Sequence, residues 1–191
     1  YRPGVMEALK LGPAEALEIN PRLIYARLTG WGQEGCYAGM AGHDINYIAM
    51  SGALSLFRQK GEKPLPPCNI LGDFAGGGML CAMGILLALV ERNQSGKGQV
   101  VDSAMVDGAA NLSVLFYGLL SNSLMSLDIG SNMLDGGAPY YQTYETADGK
   151  YVAIGAIEGK FYAELLKGLG LDSASLPHQH DMNKWPEMKQ R

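Results

Sequence analysis

Between Phe74 and Val90 the chain carries no charged residue. This apolar run sits inside Ile70 to Arg92, with consecutive glycines at Gly76, Gly77 and Gly78 and a single carboxylate, Asp73, at its entrance. A helix that is apolar on all sides has to be buried on all sides, so the stretch predicts the central helix of the molecule. An aspartate just ahead of a helical run is a natural N-cap, which gives Asp73 a purely structural reading to begin with. The run is shorter than the ~20 residues of a membrane span and is interrupted by glycine, so a buried helix is expected rather than a transmembrane one.

The rest of the composition supports a globular chain. With 191 residues, 47% of them hydrophobic, there is enough for one good core and one or two domains. A formal charge of −4 without any basic block gives no electrostatic footprint for nucleic acid or an acidic membrane surface. The three cysteines, Cys36, Cys68 and Cys81, are odd in number and have no metal-ligand spacing. Buried thiols in a reducing compartment are therefore expected. No secretory signal is seen, and a chain opening on Tyr1 says little about targeting.

The local patterns alternate between helix and strand, as in an α/β fold. Pro21 to Thr29 reads as a buried strand, Ile45 to Ala53 as a helix opened by His43 and Asp44, and Arg58 to Pro67 as an exposed excursion. After the central helix, Gln99 to Asp102 is strand-like and Ala104 to Leu120 is a helix broken at Asn111. Tyr140 to Thr146 and Tyr151 to Gly155 alternate around Asp148-Gly149, the signature of a β-hairpin. A helix from Gly159 to Leu169 and a polar tail from Asp172 complete the chain. Solvent-exposed histidines, His178 and His180, are expected in that tail. The domain boundary is expected at 135/136, with a small α+β domain beginning at 136.

Few residues can carry chemistry. There is no Gly-x-Ser-x-Gly elbow, and the triple glycine lacks the Lys-Ser/Thr of a phosphate loop, so serine hydrolysis and nucleotide hydrolysis are disfavoured. His43 stands in the polar cluster Gly42-His43-Asp44-Ile45-Asn46-Tyr47, with no second histidine or cysteine at zinc spacing. What remains is an acid/base pair, His43 and Asp73, followed by glycine N–H groups. Such a set suits proton transfer beside a carbonyl, one base removing the proton while N–H groups receive the oxyanion. Met40, Met50, Met79, Met83 and Met133 could supply an adaptable apolar wall, although core packing is the plainer reading of each.

At this point the motifs become recognisable. YRPGVMEALKLGP, NPRLIYARLTGWGQ, AGHDINYIAMSG, NILGDFAGGGMLCAMGI, GKGQVVDSAMVDGA and NMLDGGAPYYQTYETADGKYVAIGAIE resemble the acyl-CoA racemase branch of the family III CoA-transferase (CaiB/BaiF-type) superfamily. The resemblance runs almost from end to end, and relative to that family the chain looks like an internal fragment. It implies part of a Rossmann-like large domain, a linker and a small α+β domain, within an interlocked homodimer. It also implies epimerisation of 2-methylacyl-CoA thioesters at C2 through an enolate, with no cofactor beyond the CoA thioester that is the substrate. Carried over by motif, His43 and Asp73 become the bases on opposite faces of the α-carbon, and Glu158 a support for the histidine. Gly42, Asp44, Ile45, Asn46 and Tyr47 line the site around the thioester, and Arg2 lies on the CoA side. Ala8 departs from the family, whose members tend to be basic there; Lys10 is the nearest substitute.

Two other functions stay open. A CoA-transferase of the same superfamily would use Asp73 as a nucleophile, forming a mixed anhydride. A truncated, non-catalytic fragment would only bind CoA thioesters or a partner chain. The family implies an intracellular protein, in peroxisome or mitochondrion for a eukaryote and in cytoplasm for a bacterium.

Overall fold

A computed structural model describes residues 1–191. The chain divides into two compact units, one of residues 1–57 with 65–118 and the other of residues 58–64 with 119–191. The boundary expected at 135/136 falls inside the second unit.

The first unit begins with two short helices, α1 (Val5–Ala8) and α2 (Pro13–Ile19), then strand β1 (Tyr25–Thr29) and helix α3 (Asp44–Met50). A π-helical segment, Ile70–Met79, continues directly into α4 (Leu80–Ser95), which Gly96 ends at φ +74°. That left-handed conformation is one glycine adopts without steric cost. Strand β2 (Val100–Ala104) follows, then α5 (Met105–Leu112) and α6 (Val114–Ser121), along which the sequence passes into the second unit. β1 and β2 pair in parallel, from Tyr25 opposite Val100 to Thr29 opposite Ala104. Parallel strands require a long crossover, here everything from Gly30 to Gln99, and this is the βαβ logic expected of an α/β chain.

Within this single chain the long helix is buried on one face only. Its buried positions are Gly72, Gly76, Gly77, Cys81 and Ala88, all small. Phe74, Met79, Leu86, Leu87 and Val90 lie on the outer face and are 60–71% exposed. The physical reason is close approach: a Cβ on Gly76 would lie 2.8 Å from the backbone nitrogen of Ala109, so the inner face has room only for hydrogen atoms. The larger side chains are turned outward, where this chain offers no cover. By length and composition the continuous helix Ile70–Ser95 could cross a membrane, a test that core helices of soluble proteins also pass.

The helical break expected at Asn111 occurs at Ser113 instead. Ser113 is buried and its hydroxyl donates to the Ala109 carbonyl at 2.9 Å, a bond back along the helix that competes with the backbone ladder.

In the second unit, β3 (Tyr141–Glu145) and β4 (Tyr151–Gly155) form the expected antiparallel hairpin, with Gly149 at φ +76° in its turn. Helix α7 (Gly159–Gly168) and the short α8 (Trp185–Met188) complete it. Buried Ala138, Tyr140, Ala156 and Trp185 form the core. The polar tail contributes to that core: Trp185 is 5% exposed and its indole N–H donates to the Gln179 carbonyl at 2.9 Å, while His178 and His180 are exposed, His180 Nδ1 lying 3.2 Å from the Tyr140 hydroxyl. Residues 58–64 are likewise tied down, by Arg58 donating to the Leu127 carbonyl at 3.1 Å and by a Lys60–Asp128 ion pair at 3.0 Å. Of the cysteines only Cys81 is buried; Cys36 and Cys68 are exposed.

Candidate active site

The site is built on the start of α3. His43 is the N-cap, in extended backbone conformation, and its N–H donates to Asn46 Oδ1 at 3.0 Å. The first bonds of the helix run from Asn46 and Tyr47 to the His43 carbonyl, so the N–H groups of Asp44 and Ile45 have no protein partner. One turn on, Tyr47 is buried and its ring meets Trp31 edge to face, with centroids 4.7 Å apart. Two glycines make that position possible. A Cβ on Gly30 would fall 2.1 Å from the Tyr47 ring, and one on Gly42 would fall 2.7 Å from it.

An open cavity of about 410 Å³ lies over this aromatic floor, lined by Arg2, Thr29, Trp31, Gly42, His43 and Tyr47 among others. Arg2 also borders a second cavity, of about 360 Å³, along β1. The Tyr47 phenol is pushed above the ordinary tyrosine value, chiefly by burial and further by the negative charge of Asp73, while Arg2 pulls it down. Tyr47 thus feels Asp73 and Arg2 together.

Asp44 departs furthest from expectation. Instead of facing a ligand it is 5% exposed, and its Oδ2 accepts the N–H groups of Gly72 at 2.7 Å and Asp73 at 2.8 Å. Its other oxygen has no partner. This carboxylate performs the capping function that the sequence suggested for Asp73, at the start of the same helix but from a different one. Asp73 itself lies within the first turn of the π-helical segment, behind Asn69 at the N-cap, and its carboxylate accepts from Asn69 Nδ2 at 3.4 Å. The glycine N–H groups beyond it belong to the helix's own ladder and are not free for an oxyanion.

The residues implied by motif are thus partly brought together. Arg2, Gly42, His43 and Tyr47 share the cavity; Asp44 and Asp73 do not line it, and Asp73 meets Asp44 through its backbone N–H. Ile45 and Asn46 are exposed and do not line it. Glu158 belongs to the second unit, where it is the N-cap of α7, with an exposed side chain and a carbonyl that accepts from Phe161 and Tyr162 at 2.9 Å. Trp31 and Thr29 were missed; the only sequence signal for Trp31 is an aromatic set between two glycines. Of the methionines, Met40 lines the cavity, Met50, Met79 and Met83 are exposed elsewhere, and Met133 packs on the core of the second unit. Ala8 ends α1, and the neighbouring Lys10 takes a left-handed φ of 57°.

Comparison with known proteins places these features in context. The family model described as CoA-transferase family III matches residues 1–191. Alpha-methylacyl-CoA racemases from Mus musculus and Homo sapiens are each 56% identical over 191 residues, all of this chain and 50% of theirs. The chain therefore spans about half the length of the curated relatives it matches. Among solved structures, a CaiB/BaiF family protein from Brucella suis superposes with a TM-score of 0.75 at 24% identity, over 98% of this chain and 51% of that one. That last likeness speaks for the fold alone.

Proposed function

This chain belongs to CoA-transferase family III, and we propose that the protein containing it is an isomerase that inverts the configuration of 2-methylacyl-CoA thioesters at C2. The observation that carries the reading is the arrangement at α3. His43 lines an open cavity together with Arg2, and Asp44, the next residue along, accepts the backbone N–H of Asp73 at 2.8 Å, so the two groups able to exchange a proton are carried on elements that touch. The 56% identity to racemases over the whole chain supports the same choice within the family.

In this reaction His43 removes the α-proton from one face while Asp73, protonated, delivers a proton to the other; the reverse direction begins with the proton on the imidazole. The α-carbon of a thioester is a far weaker acid than an imidazolium, so stabilising the enolate is the larger task. Arg2, a cation at the cavity mouth, suits the phosphates of CoA. The exposed apolar face of the long helix would be covered in a homodimer.

Incubation of a polypeptide of the relatives' full length with (R)-2-methylacyl-CoA in deuterated water tests this. Deuterium at C2 with inversion is the expected result. CoA appearing on an added carboxylic acid, without α-exchange, would instead indicate transfer through an Asp73 anhydride, and binding without either reaction would indicate a non-catalytic chain.

A further inference from the structure

We propose that Asp44 is a positioning residue, one buried carboxylate that fixes where Asp73 stands relative to His43. The inference rests on the acid/base reading of that pair. His43 is joined to Asp44 by a peptide bond at the start of α3, and Asp73 by its N–H at 2.8 Å, so the backbones that carry the two groups are linked through one side chain. The same oxygen takes the Gly72 N–H at 2.7 Å, which fixes the direction of the π-helical turn as well as its distance. The fit is tight: a Cβ on residue 72 would lie 2.6 Å from Asp44 Oδ2 and 3.2 Å from Ile48 Cγ2, so only glycine leaves room for the carboxylate. Asp44 is too deeply buried to be a contact for a large ligand in this geometry, and its partners are backbone groups that no other side chain satisfies.

A general acid displaced by about 1 Å can lose about 100-fold in rate, and so a strut between two bases matters even without touching substrate. Removing it moves one base and leaves the other on its own helix. The consequence is asymmetric. Exchange of the α-proton drawn by Asp73 from one enantiomer should fall far more than exchange drawn by His43 from the other.

The experiment uses Asp44→Ala and Asp44→Asn in a polypeptide of the relatives' full length. Deuterium wash-in is followed separately from (R)- and (S)-2-methylacyl-CoA, and amide exchange is followed at Gly72 and Asp73. In Asp44→Ala the ratio of the two wash-in rates is expected to change at least about tenfold, KM to stay within about threefold, and amide protection at 72 and 73 to be lost while α4 stays protected. Asp44→Asn, which keeps an acceptor oxygen, should recover part of the ratio and protection. An unchanged ratio with both rates lowered equally, or a raised KM at unchanged kcat, would overturn the proposal in favour of a merely structural or substrate-binding role. Should the wild-type protein exchange neither enantiomer, the acid/base reading fails on its own. The strut is then judged by the amides, whose retained protection in Asp44→Ala would overturn it and whose loss would support it.

Discussion

A Cβ placed on Gly108 would lie 1.9 Å from the carbonyl oxygen of Gly76, so α5 and the π-helical segment touch backbone to backbone. No side chain fits between them. The glycine run following Asp73 is therefore a packing device on two of its three positions: Gly76 faces Gly108 and Ala109, Gly77 faces Met105 and Leu28, and only Gly78 is exposed. The contact holds the segment that carries Asp73 against the helix that follows β2.

Gly108→Ala should accordingly destabilise the fold by about 1–3 kcal/mol or more, because the three obstructing atoms, the carbonyl oxygen, carbonyl carbon and Cα of Gly76, are all backbone. Gly78→Ala, whose nearest neighbour would be the Asp73 carbonyl at 3.6 Å, should be neutral or stabilising. Urea denaturation of the two variants beside the parent checks this; similar midpoints for both would contradict the packing account.

In a polypeptide of the relatives' full length, Asp73→Asn and His43→Gln should each lower the proposed racemisation by about 10²–10⁴-fold with little change in stability. Asp73 caps no helix and accepts only one long bond from Asn69, so its loss leaves the backbone satisfied. Isotope exchange at C2 together with thermal unfolding separates the two effects. Equal losses of activity and stability would return Asp73 to a structural role.

Burial raises the phenols of Tyr47, Tyr140, Tyr144 and Tyr162, with Asp73 adding to the effect at Tyr47 and Tyr162 adding to it at Tyr140. In the unfolded chain these groups ionise near about pH 10. Above that, the unfolded state has lost protons that the folded state retains, so stability, fully present below about pH 10, falls as pH rises through the raised values. Tyr47→Phe keeps the ring against Trp31 and should make the alkaline fall shallower. Denaturation midpoints measured between pH 8 and 11.5 test the sign; an unaltered slope would count against it.

Trp185→Ala should cost the second unit about 3–5 kcal/mol, since it empties the site between Tyr140 and Ala156 and strands the Gln179 carbonyl. Chemical denaturation followed by tyrosine fluorescence measures it. A loss below about 1 kcal/mol would mean that the tail contributes little to the core.

Leu86→Gln and Leu87→Lys alter side chains that are each 62% exposed, so the isolated chain should change by about 0.5 kcal/mol or less. In a polypeptide of the relatives' length the same changes should weaken self-association if this face is covered in a homodimer. Sedimentation of both forms decides it, and unaltered association would remove the face from the interface.

Much of the local structure was legible before any coordinates. The hairpin followed from alternation on either side of Asp148-Gly149, because a tight turn and period-two burial are properties of adjacent residues. The parallel pairing of β1 and β2 agrees with a helix lying between two strand-like runs. His43 was found as the only histidine in a polar cluster opening an apolar helix. The errors have a common source. Burial of the long helix and the cap at Asp73 were each inferred from one segment, yet each depends on what another segment supplies.

The sequence by itself determined the element types, the family motifs and the short list of groups able to move a proton, since all of these reside in contiguous residues. Only the tertiary structure decided how those groups are held. Asp44 meets Gly72 and Asp73 across 28 and 29 positions, and Gly108 meets Gly76 through the absence of any side chain. A hydrogen bond or a close backbone approach depends on through-space distance and direction, which residue identity alone does not specify. That is why the carboxylate that looked like a ligand contact, Asp44, is the one buried against the start of the long helix, and the one that looked like its cap, Asp73, is not.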